Sequence, residues 1–192
     1  NGLQSAVFSD VSPNPTDEDI ARGKTVFNNG GHDGVIAIGG GSGMDAGKAI
    51  SLVGRNDADL WAFDYDQPES PALGSESFVP LICVPTTAGT GAETESTAML
   101  TDTVQGVKRC TWHATQKPLL AILDPEVTVN LPADLTAWTG CDALVHAIEA
   151  FSVPDWNPLC DGLALEAIRL ISGSLESAVA HGDDLEARGA ML

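Results

Sequence analysis

The sequence predicts a two-part fold: a mixed α/β region with a parallel sheet over residues 1–131, then the start of an all-α region over residues 132–192. Three observations carry this. The apolar run Gly34-Val-Ile-Ala-Ile38 matches a strand buried in a parallel sheet, and it enters a glycine-rich turn, Gly39 to Gly43, followed by a helix. A second apolar run, Leu81-Ile-Cys-Val84, ends at Pro85 and feeds another turn of small residues. Beyond Leu131-Pro132-Ala133-Asp134 the periodicity is helical throughout.

Each element has a local cause. Val11 to Pro15 reads as a turn, and Thr16 followed by Asp17, Glu18 and Asp19 is a helix start, with acids at the positive end of the dipole. That helix runs to about Asn28 and stops before Asn29-Gly30-Gly31. After the first strand and its turn, Met44 to Val53 is a helix packing through Ala46, Ala49, Ile50 and Val53. Residues 54–79, rich in Pro, Gly, Ser and Asp, form a loop with a short helix around Leu60. Further strands are expected over 98–101, 108–115 and 119–123, the last closed by Asp124-Pro125. Helices are expected over 133–151, 158–180 and from 183 onward. No internal repeat or low-complexity tract appears.

Composition sets limits. A chain of 192 residues with 43% apolar content and a mean hydropathy of +0.05 fits a globular protein with a substantial core. No apolar run reaches the roughly 18–20 residues needed to span a bilayer, and no basic segment with an apolar stretch opens the chain as a secretory signal would. The chain opens at Asn1 and closes on Ala-Arg-Gly-Ala-Met-Leu, both inside expected structure, so both ends are expected to be cut. Nine basic against 27 acidic residues give a net charge of −18 and a pI near 4.2. Such a surface repels nucleic acid and anionic membranes. The acids are dispersed, as on a well-solvated, salt-adapted surface. Cys83, Cys110, Cys141 and Cys160 show no C-x-x-C spacing and stand in apolar contexts, which predicts reduced, buried thiols in a cytoplasmic protein.

Three places carry candidate chemistry. The turn after Ile38 lies where open α/β sheets bind ligands, outside the carboxyl end of a strand. Glycines there let a phosphate approach the backbone, and the following helix start offers amides and a favourable dipole. Gly41-Ser42-Gly43-Met44-Asp45-Ala46 fits the loose G-x-G-x-x-A pattern. A P-loop fails, because Ser42 stands where the first glycine belongs and Ala49 where a magnesium-binding hydroxyl belongs, although Gly47-Lys48 is present. A nucleophile elbow fails because Met44 stands where it needs glycine. The second place is Thr86, Thr87 and Thr90, hydroxyls that cap a turn or meet a ligand. The third is Asp142 and His146, four positions apart on a helix, where side chains stack on one face and can grip one metal ion or form a plain exposed polar pair. Lys108, one of four lysines, reads as a surface residue or a cofactor contact. His32, His113 and His181 read as structural or exposed, and the four tryptophans as packing groups.

Four pieces together resemble the iron-containing (group III) alcohol dehydrogenases: Asn14-Pro15-Thr16, Gly39-Gly40-Gly41-Ser42-Gly43-Met44-Asp45, Pro85-Thr86-Thr87-Ala88-Gly89-Thr90-Gly91-Ala92-Glu93, and Thr139-Gly140-Cys141-Asp142-Ala143-Leu144-Val145-His146-Ala147-Ile148-Glu149. The resemblance covers essentially the whole chain, which matches about the middle half of a family member. It implies a dehydroquinate synthase-like fold, with a Rossmann-like nucleotide-binding domain at 1–131 and the beginning of a helical metal-binding domain at 132–192. It implies NAD or NADP as cofactor, the pyrophosphate on Gly40, Gly41 and Ser42 with Asp45 nearby. Further cofactor contacts would come from Thr86, Thr87, Thr90, Lys108 and, near the adenosine, Asn14. Asp142 and His146 match the first two of four ligands to a divalent metal, iron(II) in the family, with zinc also compatible. The family's other two ligands are histidines on later helices, so a metal site cannot close within these residues. This predicts a fragment inactive in isolation.

The implied activity is reversible alcohol oxidation, with hydride passing between an alcohol or aldehyde and NAD(P). A maleylacetate reductase, a hydroxy-acid or polyol dehydrogenase, or a non-catalytic nucleotide-binding fragment are the alternatives. Asp142 and His146 together argue against the metal-free relatives. The expected partners are a small alcohol or aldehyde and further copies in a homodimer or larger homo-oligomer, with no nucleic acid and no membrane.

Overall fold

The computed structural model describes residue 2 and residues 4–192; Asn1 and Leu3, within the expected first domain, lie outside the described residues. Among the described residues ten α-helices and strands follow one another: α1 (Asp17–Asn29), β1 (Val35–Gly39), α2 (Gly41–Val53), β2 (Leu81–Pro85), β3 (Thr97–Asp102), β4 (Val107–Trp112), β5 (Leu120–Ala121), α3 (Ala133–Ser152), α4 (Pro158–Ala180) and α5 (Leu185–Met191). Of the 3₁₀ turns between them, the one at Leu60–Phe63 is the short helix expected near Leu60. No helix among the described residues is long and apolar enough to cross a membrane.

The chain divides into two compact units, one of Asn1–Val84 and Ala92–Ile122, the other of Pro85–Gly91 and Leu123–Leu192. In the first, β1, β2 and β5 form a sheet in that order, with β2 and β5 parallel, while β3 and β4 form a separate antiparallel hairpin. Its core joins Ile20 and Phe27 of α1, Ala49 and Leu52 of α2, Phe63 and Leu100. Thr16 caps α1 as the sequence predicts: its hydroxyl accepts from the Asp19 amide, and the Asp19 carboxylate accepts from the Thr16 amide. Burial would push the Asp19 carboxyl up, but the amides of Thr16 and Ser12 and the Arg22 guanidinium hold it below the usual range.

Three boundaries differ from the sequence reading, one of them that of β4, which ends at Trp112 short of the expected 115 because His113 caps a 3₁₀ turn at Ala114–Gln116. α2 begins at Gly41, so Gly41, Ser42 and Gly43 form its first turn instead of a loop ahead of it. Glycine costs helix propensity, but the first turn needs little of it, and packing sets the start. β5 covers only Leu120–Ala121 of the expected 119–123, because its pairing to β2 reaches only Ile82 and Cys83.

The second unit is built from α3, α4 and α5 around Ile171, Ala178, Ala187 and Met191. Gly140 lets α3 and α4 close, since a Cβ there would collide with the Leu175 side chain. Arg188 is buried and donates to the Thr136 hydroxyl at 3.0 Å and to the carbonyls of Gly182 at 2.9 Å and Leu131 at 3.3 Å. Two expectations fail here. Cys141 and Cys160 are exposed, not buried, and all four thiols are free. Trp138 and Trp156 are exposed at 64% and 86%, where packing positions were expected. Trp138 lies on the outer face of α3 and Trp156 in the segment joining α3 to α4, so apolarity alone misreads them as core.

Candidate cofactor and metal sites

The first candidate site rests on backbone. Gly40 is the N-cap of α2 in extended conformation, and no side chain caps the helix. The first intrahelical bond runs from the Met44 amide to the Gly40 carbonyl at 3.0 Å, so the amides of Gly41, Ser42 and Gly43 precede the helical ladder and face outward with its dipole. Gly39 has φ 155°, which a side chain rarely adopts. The helix lies close on its strand because of Gly47: a Cβ there would stand 2.5 Å from the Ala37 Cβ. The sequence reading gave that place in the glycine pattern to Ala46; the structure gives the closest approach to Gly47, the residue set aside with the P-loop.

The segment bearing Asn14 is tied to this turn, while Lys108 is placed only by the hairpin register. The Ser42 hydroxyl donates to the Pro13 carbonyl, and the Thr101 amide donates to the Pro15 carbonyl at 2.8 Å. Asn14, exposed, therefore lies on a short segment held between α2 and the hairpin. Lys108 is exposed on β4 and stands opposite Thr101 in the hairpin register. Asp45 is the least exposed of the candidate acids; burial pushes its carboxyl up, while Lys48 and the Met99 amide draw it down. The lysine that sequence reasoning passed over is Lys48, fully buried, 3.2 Å from the Asp45 carboxylate and donating to the Ala92 carbonyl at 2.8 Å. Its only sequence signal was its place one helical turn after Asp45.

In the helical unit, the turn bearing Thr86, Thr87 and Thr90 is packed on α3. A Cβ on Gly89 would overlap the Thr139 carbonyl, and Ala88 joins the core of α4 and α5. One turn further along α3, the Asp142 carboxylate and the His146 Nε2 are 3.5 Å apart, with both side chains about half exposed. Two ligands about 2.1 Å from one ion in a tetrahedral shell lie about 3.4 Å apart. The pair therefore suits a divalent cation in donor type and spacing. Among the described residues no group of three or more His, Cys, Asp or Glu side chains converges on one point, at this pair or elsewhere.

Comparison with known proteins shows the family. The profile of the iron-containing alcohol dehydrogenases matches residues 1–125, and that of the C-terminal part of the Fe-containing alcohol dehydrogenase family matches residues 136–192. The chain belongs to the iron-containing alcohol dehydrogenase family. It is 42% identical over 190 residues to the NAD-dependent methanol dehydrogenase of Bacillus methanolicus, covering 99% of this chain and 49% of that protein. The crystal structure of a sulfoacetaldehyde reductase from Bifidobacterium kashiwanohense in complex with NAD+ matches with a TM-score of 0.90 at 35% identity, over 97% of this chain and 49% of that one. An archaeal halo-thermophilic alcohol dehydrogenase from a Red Sea brine pool matches with a TM-score of 0.91 at 30% identity, over 99% of this chain and 48% of that one. The chain thus spans about half the length of the relatives it matches.

Proposed function

We propose that these residues are the central half of a metal-dependent, NAD(P)-linked alcohol dehydrogenase acting on a small alcohol or aldehyde. The observation that carries the reading is the Asp142–His146 pair at metal-ligand spacing on α3, in a chain of this family. Residues 1–131 form the nucleotide-binding part and residues 132–192 the start of the metal-binding part. The amides of Gly40, Gly41 and Ser42 hold the pyrophosphate by hydrogen bonds and helix dipole. Asp45, half-buried against Lys48 and the Met99 amide, fixes the first turn of α2 behind them. Thr86, Thr87 and Thr90 donate hydroxyls to the cofactor, Lys108 adds a cation on the hairpin, and Asn14 contacts the adenosine side.

Asp142 and His146 hold the metal, with neutral imidazole and ionised carboxylate as the ligating forms. When bound, the metal supplies Lewis-acid polarisation of the alcohol oxygen and the nicotinamide supplies the hydride acceptor. The metal is iron(II) on family grounds, and zinc suits the same donors. Four free thiols, two of them exposed, support a reducing, cytoplasmic setting. The apolar residues that α3 and α4 leave in solvent, among them Val145, Ile148, Leu159 and Leu163, support a homodimer or larger homo-oligomer.

The test is a rate assay on the whole protein with short primary alcohols and NAD+ or NADP+. Alcohol-dependent reduction of the cofactor should vanish on chelation and return with iron(II) or zinc. Activity that survives exhaustive chelation contradicts the metal assignment, and cofactor binding without turnover of any alcohol leaves only a nucleotide-binding protein.

A further inference from the structure

Lys48 has no role in the reading above, yet it is the largest fully buried side chain among the described residues. Placing an ammonium ion out of reach of water is costly unless charge and hydrogen bonds replace the hydration shell. Both are present. The Asp45 carboxylate is 3.2 Å away, and the Ala92 carbonyl accepts a hydrogen bond of 2.8 Å across 44 residues of sequence. Ala92 is where the polypeptide returns to the α/β unit after the excursion of Pro85–Gly91, and Val84, its point of departure, lies in β2. The two ends of the threonine turn are therefore fixed in one unit, by a strand and by this ammonium.

We propose that Lys48 is a positioning residue for the threonine turn: by holding the Ala92 carbonyl it sets where residues 85–91 end, as β2 sets where they begin, and so helps to preorder Thr86, Thr87 and Thr90 for the dinucleotide. The proposal rests on the assignment of those threonines to the cofactor. Preordering acts on binding, because a segment already fixed loses less conformational freedom when the ligand arrives. Lys48 touches no reacting atom, so its loss shows in cofactor affinity and not in turnover at saturation.

Two measurements on the whole protein test this. Hydrogen exchange without cofactor should show amides 85–92 exchanging about tenfold faster in Lys48→Met, the scale of one lost charged hydrogen bond, while α1 and the rest of α2 keep their protection. The KM for the dinucleotide should rise about tenfold on the same scale, with kcat unchanged at saturation. Lys48→Arg, which retains a donor, should recover most of that affinity. If Lys48→Met does not fold, Lys48→Gln, polar but too short for the Ala92 carbonyl, is read in its place. Exchange unchanged at 85–92, exchange raised uniformly through the unit, or a fall in kcat at constant KM would each overturn the proposal. Wild-type protein that binds no dinucleotide would instead remove the cofactor assignment, whatever the exchange shows.

Discussion

The α/β unit offers its candidate ligand groups through the backbone, whereas the helical unit offers them through side chains. At the start of α2 the donors are amides that any sequence would present once Gly39 lets the chain turn and Gly47 lets the helix settle on β1. On α3 the donors are Asp142 and His146, and the fold contributes only the four-residue spacing that sets them 3.5 Å apart. A backbone site is finished when its local elements form. A side-chain metal site is finished only when ligands from elsewhere arrive, and α3 supplies two. The cores differ in the same sense. Ile20, Phe27, Leu52, Phe63 and Leu100 are almost wholly buried, while α3 and α4 keep Val145, Phe151, Leu159 and Leu163 in solvent.

Glycine substitutions set the two regions against each other. Gly89→Ala should have the largest effect, because its Cβ would meet the Thr139 carbonyl, part of a helix backbone that cannot yield. We expect a loss of about 3 kcal/mol, at the upper end for overpacking, read as a fall in the denaturant midpoint of the helical unit. Gly47→Ala should cost less, about 2 kcal/mol, since the opposing atom is the Ala37 methyl and α2 can lift slightly. It should also weaken dinucleotide binding, because the lift moves the amides of Gly41 and Ser42. Equal tolerance of both substitutions would show that neither close approach governs its unit.

Acid should separate the regions further, by a smaller margin. In the α/β unit Asp19 and Asp102 are held below the usual carboxylate range. For Asp19, burial pushes up, but the amides of Thr16 and Ser12 and Arg22 outweigh it. For Asp102 the Gln105 amide acts first, burial opposes, and Arg109 and the Val104 amide add to the lowering. In the helical unit the lowered acids are Asp184, held down by the Ala187 amide and the Ser177 hydroxyl, and the exposed Glu166, held down by the Arg169 guanidinium. A depressed folded-state pKa stabilises the fold above the unfolded value, about 4, and that contribution disappears as pH falls through the depressed values. Circular dichroism and hydrogen exchange from pH 6 down to about 2 should show protection of α1 and the β3–β4 hairpin lost more steeply than that of α5. Parallel loss in both would contradict these assignments.

Most of the fold was legible because its signals are local. The Thr16 cap, the apolar runs of β1 and β2, and the helical periodicity after Pro132 each act within a few residues. The start of α2 was misplaced because glycine signals a turn by propensity, while packing through Gly47 and Met44 decides where the helix begins. The Asp142–His146 spacing was legible because a helix fixes it. Lys48 was not, since its partner Ala92 lies 44 residues away and only the fold joins them. Exposure of Trp138, Trp156, Cys141 and Cys160 was equally hidden: composition shows apolar character, not what lies beside it.

The central claim is that Asp142 and His146 hold the metal while the glycine turn independently holds the dinucleotide. Metal content and NADH affinity measured together on Asp142→Ala whole protein test it most directly. Metal should fall to background while the dissociation constant for NADH stays within about twofold, less than 0.5 kcal/mol. Full metal occupancy in that variant, or loss of NADH binding along with the metal, would contradict it.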